Sequence, residues 1–433
     1  MRVLLTGATG LIGGAIARAL LQAGHELVCA VRDPSRLPLD HPRCSAVQAD
    51  LAAVPSAAWW APHLRGVDAV VNAVGILREQ GTQTFQALHD RAPSELFRAC
   101  AAARVPRVVQ VSALGADASG TTGYQRSKWA ADEVLRGLPL AGAVVQPSLV
   151  YAPQGASTGL FLQLATAPAL LFPLRGGMQV QPVHLDDVVA GVYALLQQPA
   201  TGGVETIAFV GPQPLRLRDY LSALRTQLGA GRGPLVLPLP VLLFRLGARL
   251  AGRIPASALD ADTAHMLLQG NTASAGPFER LLGRSPRPAA GFIAPAEAPA
   301  LRGQGVAGWA VPLARLALAA LWIWTAIVSL GLYPVEQSLA LLARVGLHGA
   351  LGTAALYGAA GLDLLLGVLT LWSPARWRPW VWAAQLALIA GYTALITLFL
   401  PEHWLHPYGP ISKNLPIMAL IAWLWALEPR SRR

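Results

Sequence analysis

Hydrophobic positions along this chain follow two patterns in turn. In the first, short apolar runs alternate with helical periodicity. Arg2 to Leu5 predicts a strand, and Leu11 to Ala23 has helical spacing until Gly24 ends it. Apolar runs at Glu26–Val31, into "QADL" (Gln48 to Leu51), at "AVVNAVGIL" (Ala69 to Leu77) and at "RVVQVSALGA", ending at Ser112, predict four further strands. "GYQRSKWAADEVL" then predicts a helix. Strands alternating with helices predict an α/β fold with a parallel sheet. The pattern stops at a Pro/Ala/Gly-rich stretch, Gly283 to Gly305, read as a linker. Four long apolar stretches follow: Val311–Tyr333, Ala350–Trp372, Trp380–Leu400 and Pro410–Leu427. Each approaches the roughly 20 residues that cross a bilayer, which predicts a four-helix transmembrane bundle.

Composition agrees with the second pattern. The chain is 54% hydrophobic and only 13% charged, against about a quarter charged in soluble domains. Its formal charge of +11 comes from scattered arginines with no basic block interleaved with aromatics, which argues against nucleic acid. Arginines cluster in "SPARWRPW" and "EPRSRR", while the opposite loops hold only Arg344 and Lys413. The positive-inside rule then puts both termini in the cytoplasm of a bacterial-type inner membrane, with four crossings. The run Val3–Leu5, broken by Thr6 and Gly7, is too short for a signal peptide. Cys29, Cys44 and Cys100 lack metal-ligand spacing and read as reduced, mostly buried thiols; no metal site is expected.

The candidate chemistry sits at the strand ends. Gly7, Gly10 and Gly13 lie between the first strand and helix. There the first glycine permits the turn, the second admits a pyrophosphate and the third allows close packing. Backbone N–H groups of the turn, from Thr9 through Leu11 and Ile12, would meet the phosphates at a helix N-terminus. Arg32 at the second strand's end, with Arg36 one turn on, favours a 2′-phosphate and so NADP(H); Asp33 keeps NAD(H) open. Asp50, followed by Leu51, would approach the adenine, and the small residues around Asn72, Ala73, Val74 and Gly75 would let a cofactor lie on the strand end. Tyr124 and Lys128 share a helix face at i and i+4, with Ser112 at a strand end before them.

TGATGLIG, the NAVG stretch, the strand-end serine and the YxxxK pair together resemble the extended or atypical short-chain dehydrogenase/reductases, over about residues 1–290. "QPSLVYAP" and "QPVHLDDVVAG" look like segments flanking that family's substrate lobe, here expected at about 151–182 and 211–290. The chain is most similar to the branch holding the nucleotide-binding accessory subunit of mitochondrial complex I. The resemblance implies a Rossmann fold, with Tyr124 as proton donor or acceptor, Ser112 on the same substrate oxygen and Lys128 on ribose and phenol. It also implies cofactor contacts from Gln146, Pro147 and Ser148. Ser112–Ala113 replaces the family's serine pair, and Ala152 replaces a glycine. After a 291–310 linker, residues 311–433 resemble the DoxX-like four-helix membrane family, with "HPYGPISKNLP" the most specific stretch.

Two function classes follow. One is a membrane-anchored NADP(H)-dependent oxidoreductase acting on a lipophilic carbonyl or alcohol. The other is a non-catalytic, NADPH-holding scaffold of a membrane-protein complex. A sugar-nucleotide epimerase or dehydratase is a third class, disfavoured by the apolar run Leu160–Leu174, where the nearby ionic residue is Arg175. Asp363, Gln385, Tyr392, Thr393 and Asn414 in or beside the apolar stretches read as interhelical hydrogen-bonding groups. "LPVLLFRLGARLAGRI" (Leu239 to Ile254) is too short and charged to span, but suits a helix in contact with membrane lipid.

Overall fold

The computed structural model describes residues 1–173, 178–199, 202–231, 233–253, 260–407 and 409–428. Leu174, Arg175, Ile254, Tyr408 and the arginines at 430, 432 and 433 therefore lie outside the described residues. The chain divides into two units, Met1–Val306 and Ala307–Arg433.

Seven strands of the first unit form one sheet: β1 Arg2–Thr6, β2 Glu26–Val31, β3 Cys44–Gln48, β4 Ala69–Asn72, β5 Arg107–Val111, β6 Ala141–Pro147 and β7 Gly203–Phe209. Their order is β3-β2-β1-β4-β5-β6-β7, and every pairing is parallel. Parallel sheets are covered on both faces, so their strands read as continuous apolar runs; β4 and β5 are buried along their whole length. On one face lie helices α1 (Leu11–Gln22) and α5 (Leu185–Gln197), through Ile16, Leu20, Val188 and Leu195. On the other lie α2 (Ala92–Ala102) and α3 (Gly123–Arg136), through Phe97, Cys100, Ala131 and Leu135. This is the doubly wound arrangement expected, with its switch point between β1 and β4.

A second layer of the same unit joins α4 (Ala156–Thr166) to α6 (Leu217–Gln227) around Tyr151, Phe161, Leu162, Tyr220 and Leu224. Phe292, Ile293 and Leu301 belong to this core. The 291–310 segment is thus no free linker: it packs, and it is helical from Ala298 onward. Pro299 is tolerated because it falls in the first turn, where its missing N–H has no intrahelical partner to lose. The lobe continues through α7 (Val241–Ala251) and α8 (Ala261–Gln269).

Helix α9 (Ala298–Ile327) begins in the first unit and continues into the second, where it extends through a wider turn to Leu332 and breaks at Gly331, whose φ is +144°. A short amphipathic helix, α10 (Val335–Arg344), separates it from α11 (Gly349–Trp372) and α12 (Arg378–Phe399). Among the described residues, three helices are long and apolar enough to cross a membrane: Ala298–Leu332, Gly349–Trp372 and Arg378–Phe399. The fourth expected stretch is helical only over Asn414–Ala426 (α13), 13 residues. That is about 20 Å, less than the roughly 30 Å hydrocarbon core. Among the described residues, the four expected apolar stretches are thus three long helices and one shorter apolar helix. Trp322, Leu366, Trp382, Ile389, Ile421 and Leu424 form their common core. Trp322 Nε1 donates to Gln385 Oε1 (2.9 Å), and Gln385 Nε2 donates to Thr370 Oγ1 (2.9 Å). Asn414 Nδ2 likewise donates to Thr393 Oγ1 (2.8 Å). Gln385, Thr393 and Asn414 thus tie helix to helix as expected, whereas Asp363, expected to do the same, keeps a buried Oδ1 with no hydrogen-bond partner among the described residues.

Candidate active site

The glycine turn is built for close approach. Gly7 has φ +77°, and a Cβ there would lie 2.6 Å from the Ala73 carbonyl oxygen across the switch point. A Cβ on Gly13 would overlap the Gly7 carbonyl. Gly10 N–H donates to Gly7 O (2.9 Å) and closes the turn. Gly10 is also the N-cap of α1 and supplies no side-chain cap. The first-turn N–H groups of a 12-residue helix therefore open onto a cradle without competing side-chain acceptors. Thr9, Gly10 and Leu11 are exposed there, while Ile12 packs back on the core. These residues fit a dinucleotide pyrophosphate.

At the second strand end, Asp33 is already engaged. Its carboxylate accepts from Ser35 Oγ (2.7 Å) and Ser35 N–H (3.0 Å), capping the turn Pro34–Arg36. The Ser35 hydroxyl holds its pKa below the usual value. Arg32 and Arg36 are exposed on either side. Asp50 caps the turn Leu51–Ala53 through Ala52 N–H (3.0 Å), and Leu51 is buried. Asn72 is buried in a ladder across the strand tips: Thr6 Oγ1 donates to its Oδ1, and its Nδ2 donates to Gln110 Oε1 (2.6 Å). Gln146 Nε2 donates to Ala116 O (3.0 Å), and Ser148 Oγ donates to Gln181 O (2.5 Å), beside buried Pro147. The side chains of Asn72, Gln146 and Ser148 thus brace the strand ends.

Helix α3 brings the acid–base candidates together. Thr122 and Gln125 form a capping box that fixes its start, so Tyr124 lies in the first turn, with Lys128 a turn further on. Lys128 Nζ donates to the carbonyls of Val74 (2.9 Å) and Val111 (3.0 Å), bridging the ends of β4 and β5. A Cβ on Gly75 would sit 3.3 Å from that nitrogen. Burial pulls the Lys128 ammonium down to about 8, opposed by Asp132. Burial, with Asp132 adding, pushes the Tyr124 phenol up to about 12.

Three participants were not foreseen. Asp132, fully buried one turn beyond Lys128, accepts from Ser112 Oγ (2.5 Å), and burial pushes its carboxyl up to about 6. Ser112 therefore faces Asp132, a contact the resemblance did not imply. The i, i+4, i+8 spacing of Tyr124, Lys128 and Asp132 was the available signal. His89, also fully buried, accepts from Ile76 N–H at Nε2 (2.9 Å), so its proton is on Nδ1, 3.1 Å from Ser127 Oγ. Burial and then Lys128 drop its pKa to about 2, keeping it neutral. Its ring meets Tyr124 edge-on at 5.3 Å and stacks on Phe85 at 5.2 Å, fixing the tyrosine's flank. Nothing in the sequence spacing marks His89 or Phe85.

Comparison with known proteins matches residues 7–162 to the NAD(P)H-binding family and residues 319–422 to the DoxX-like family. The chain is similar to ceramide reductase of Caulobacter vibrioides, 29% identical over 208 residues, covering 47% of this chain and 63% of that protein. It is similar to a 3-diazoavenalumate denitrifying reductase of a Streptomyces species, 31% identical over 229 residues, covering 47% and 74%. It is also similar to the mitochondrial NADH dehydrogenase [ubiquinone] 1 alpha subcomplex subunit 9 of Arabidopsis thaliana, 26% identical over 248 residues, covering 54% and 60%. The match thus spans less than two thirds of the first and third of these relatives.

Proposed function

This chain belongs to the NAD(P)H-binding Rossmann proteins and carries a DoxX-like membrane domain, and on that premise we propose that it is a membrane-anchored NADP(H)-dependent reductase of a lipophilic carbonyl compound. The observation that carries this reading is the α3 run of Tyr124, Lys128 and Asp132 at i, i+4 and i+8, in which Lys128 bridges the ends of β4 and β5, Asp132 holds Ser112 and Tyr124 is flanked by His89. Bound at the glycine turn, NADPH would supply the hydride. Tyr124, with a phenol raised to about 12, holds its proton at neutral pH, which suits a donor to a developing alkoxide better than a base. Lys128, near 8, can return that proton. Ser112 and Asp132 brace the strand end beside them. Two relatives named as reductases, one for ceramide, support both the reaction class and a lipophilic substrate. The engagement of Asp33 in its own turn supports NADP(H) over NAD(H), since the exposed Arg32 and Arg36 are then the groups offered to a ribose 2′ substituent. Calorimetric titration of the detergent-solubilised chain should show NADPH binding at least tenfold more tightly than NADH. Equal affinities would remove the NADP(H) assignment.

One observation favours the scaffold reading. Both identified acceptors of Lys128 are backbone carbonyls and Ser112 is turned to Asp132, an arrangement that also suits a cofactor held without turnover. Retention of full cellular function by Tyr124→Phe, with loss on Gly10→Trp, would select that reading.

A further inference from the structure

Helix α7 has two apolar faces, and the protein uses one. Ala248 is buried and Val241, Phe244 and Ala251 are half-buried on the side that packs toward α8. Leu242, Leu243, Leu246 and Leu250 are 77%, 50%, 50% and 51% exposed. At 3.6 residues per turn these four leucines fall within an arc of roughly 100°, nearly opposite the packed side. The strand leading into α7, Leu235–Leu239, pairs in parallel with Ala169–Pro173, and it adds exposed Leu235 and Leu237 beside Leu171. Arg245 and Arg249 lie along one edge of the leucine arc, with Arg253 just past the helix, and all three are exposed. The sequence contains neither Asp nor Glu between Asp219 and Asp260.

We infer that the α7 leucine face and the adjoining ribbon lie in the headgroup and upper acyl region of the same bilayer that holds the membrane helices, with the arginines on anionic lipid phosphates. Several observations select a bilayer as the occupant. An apolar arc edged by arginines and free of acids matches an anionic lipid surface. Arginine stems also cover apolar surface while their heads reach phosphate. The same chain carries, among the described residues, three helices long and apolar enough to cross a membrane. The inference rests on the proposed lipophilic substrate only for its purpose, which is to let such a compound enter the lobe without crossing water.

The test is spin-label accessibility at Leu246→Cys in the full chain with Cys44→Ser, reconstituted one chain per nanodisc in phosphatidylcholine with 30% phosphatidylglycerol. Ser222→Cys, exposed on α6, is the water reference. The label at 246 is expected to be more accessible to oxygen than to a nickel chelate, the reverse of 222. Greater accessibility to the chelate would overturn the inference, as would shielding from both reagents, which means coverage by protein. Dipolar broadening confined to two-chain discs, with water accessibility in one-chain discs, would assign the face to a second copy and also overturn it. None of these readouts depends on turnover, so failure here leaves the reductase reading standing, and failure of that reading leaves this one.

Discussion

Asp132→Asn should make the protein more stable at neutral pH. The buried carboxyl of Asp132 is pushed from 3.8 to about 6, so it holds its proton more tightly folded than unfolded. Its contribution to stability is complete below pH 3.8 and is lost as pH rises through about 6. At pH 7.5 the ionised group then costs the fold about 3 kcal/mol, at 1.36 kcal/mol per pKa unit. Asparagine keeps the shape and an acceptor for Ser112 and never ionises. The opposing effect is on Lys128, which loses the carboxylate that holds its pKa up at about 8. That loss is bounded, because an amine can shed its proton. The Lys128 cost at pH 7.5 can grow only by the interval between about 8 and 7.5, under about 1 kcal/mol. The net gain is about 2 kcal/mol, or roughly 3 °C in Tm for a unit of 306 residues. Thermal melting of the full chain in detergent, followed by circular dichroism at pH 4, 5.5 and 7.5, should show the two proteins level at pH 4 and diverging above it. A variant less stable than the parent by the same margin at every pH would refute the reasoning.

The remaining predictions concern the turn, the cofactor and the membrane. Gly13→Ala places a methyl against the Gly7 carbonyl and should weaken NADPH binding at least tenfold by calorimetry; unchanged affinity would mean that the turn does not hold the phosphates. Arg32→Ala with Arg36→Ala should cost roughly 1.5–3 kcal/mol per contact for NADPH and leave NADH nearly unaffected, as read by parallel titrations. Tags before Met1 and after Arg433 should be protected together in sealed cells, as four crossings require; tags on opposite faces would mean that α13 does not cross.

The sequence made much of the sheet legible because parallel strands, buried on both faces, leave apolar runs bounded by glycine and polar ends, as at Ala69–Asn72. Tyr124 and Lys128 were visible because helical spacing is local. Asp132 lay on the same spacing, but its role depends on where the end of β5 places Ser112, a contact between residues 20 positions apart. His89 comes from a wide-turn segment, Gln86–Arg91, preceding α2, and no periodicity marks its approach to Tyr124. The Pro-rich 283–305 stretch misled for a definite reason. Proline count suggested a linker, whereas Pro299 sits in a first turn and Phe292 and Leu301 fill a core. Hydropathy likewise located the last membrane segment, but its helix is confined to Asn414–Ala426. The amphipathic character of residues 239–254 was plain; which apolar face the protein covers was not, since burial of Ala248 depends on distant packing.

Hydride transfer into lipid tests the central claim most directly. The full chain in nanodiscs is incubated with a bacterial lipid extract containing ketone-bearing lipids and NADPH carrying deuterium at both C4 positions. Mass spectrometry of the recovered lipids should show one deuterium in a newly formed alcohol. Incorporation should fall by roughly 10²–10⁴ in Tyr124→Phe, the usual contribution of a positioned acid, while NADPH affinity stays within twofold. Tight NADPH binding with no deuterium in any lipid, or equal incorporation in Tyr124→Phe, would contradict the account.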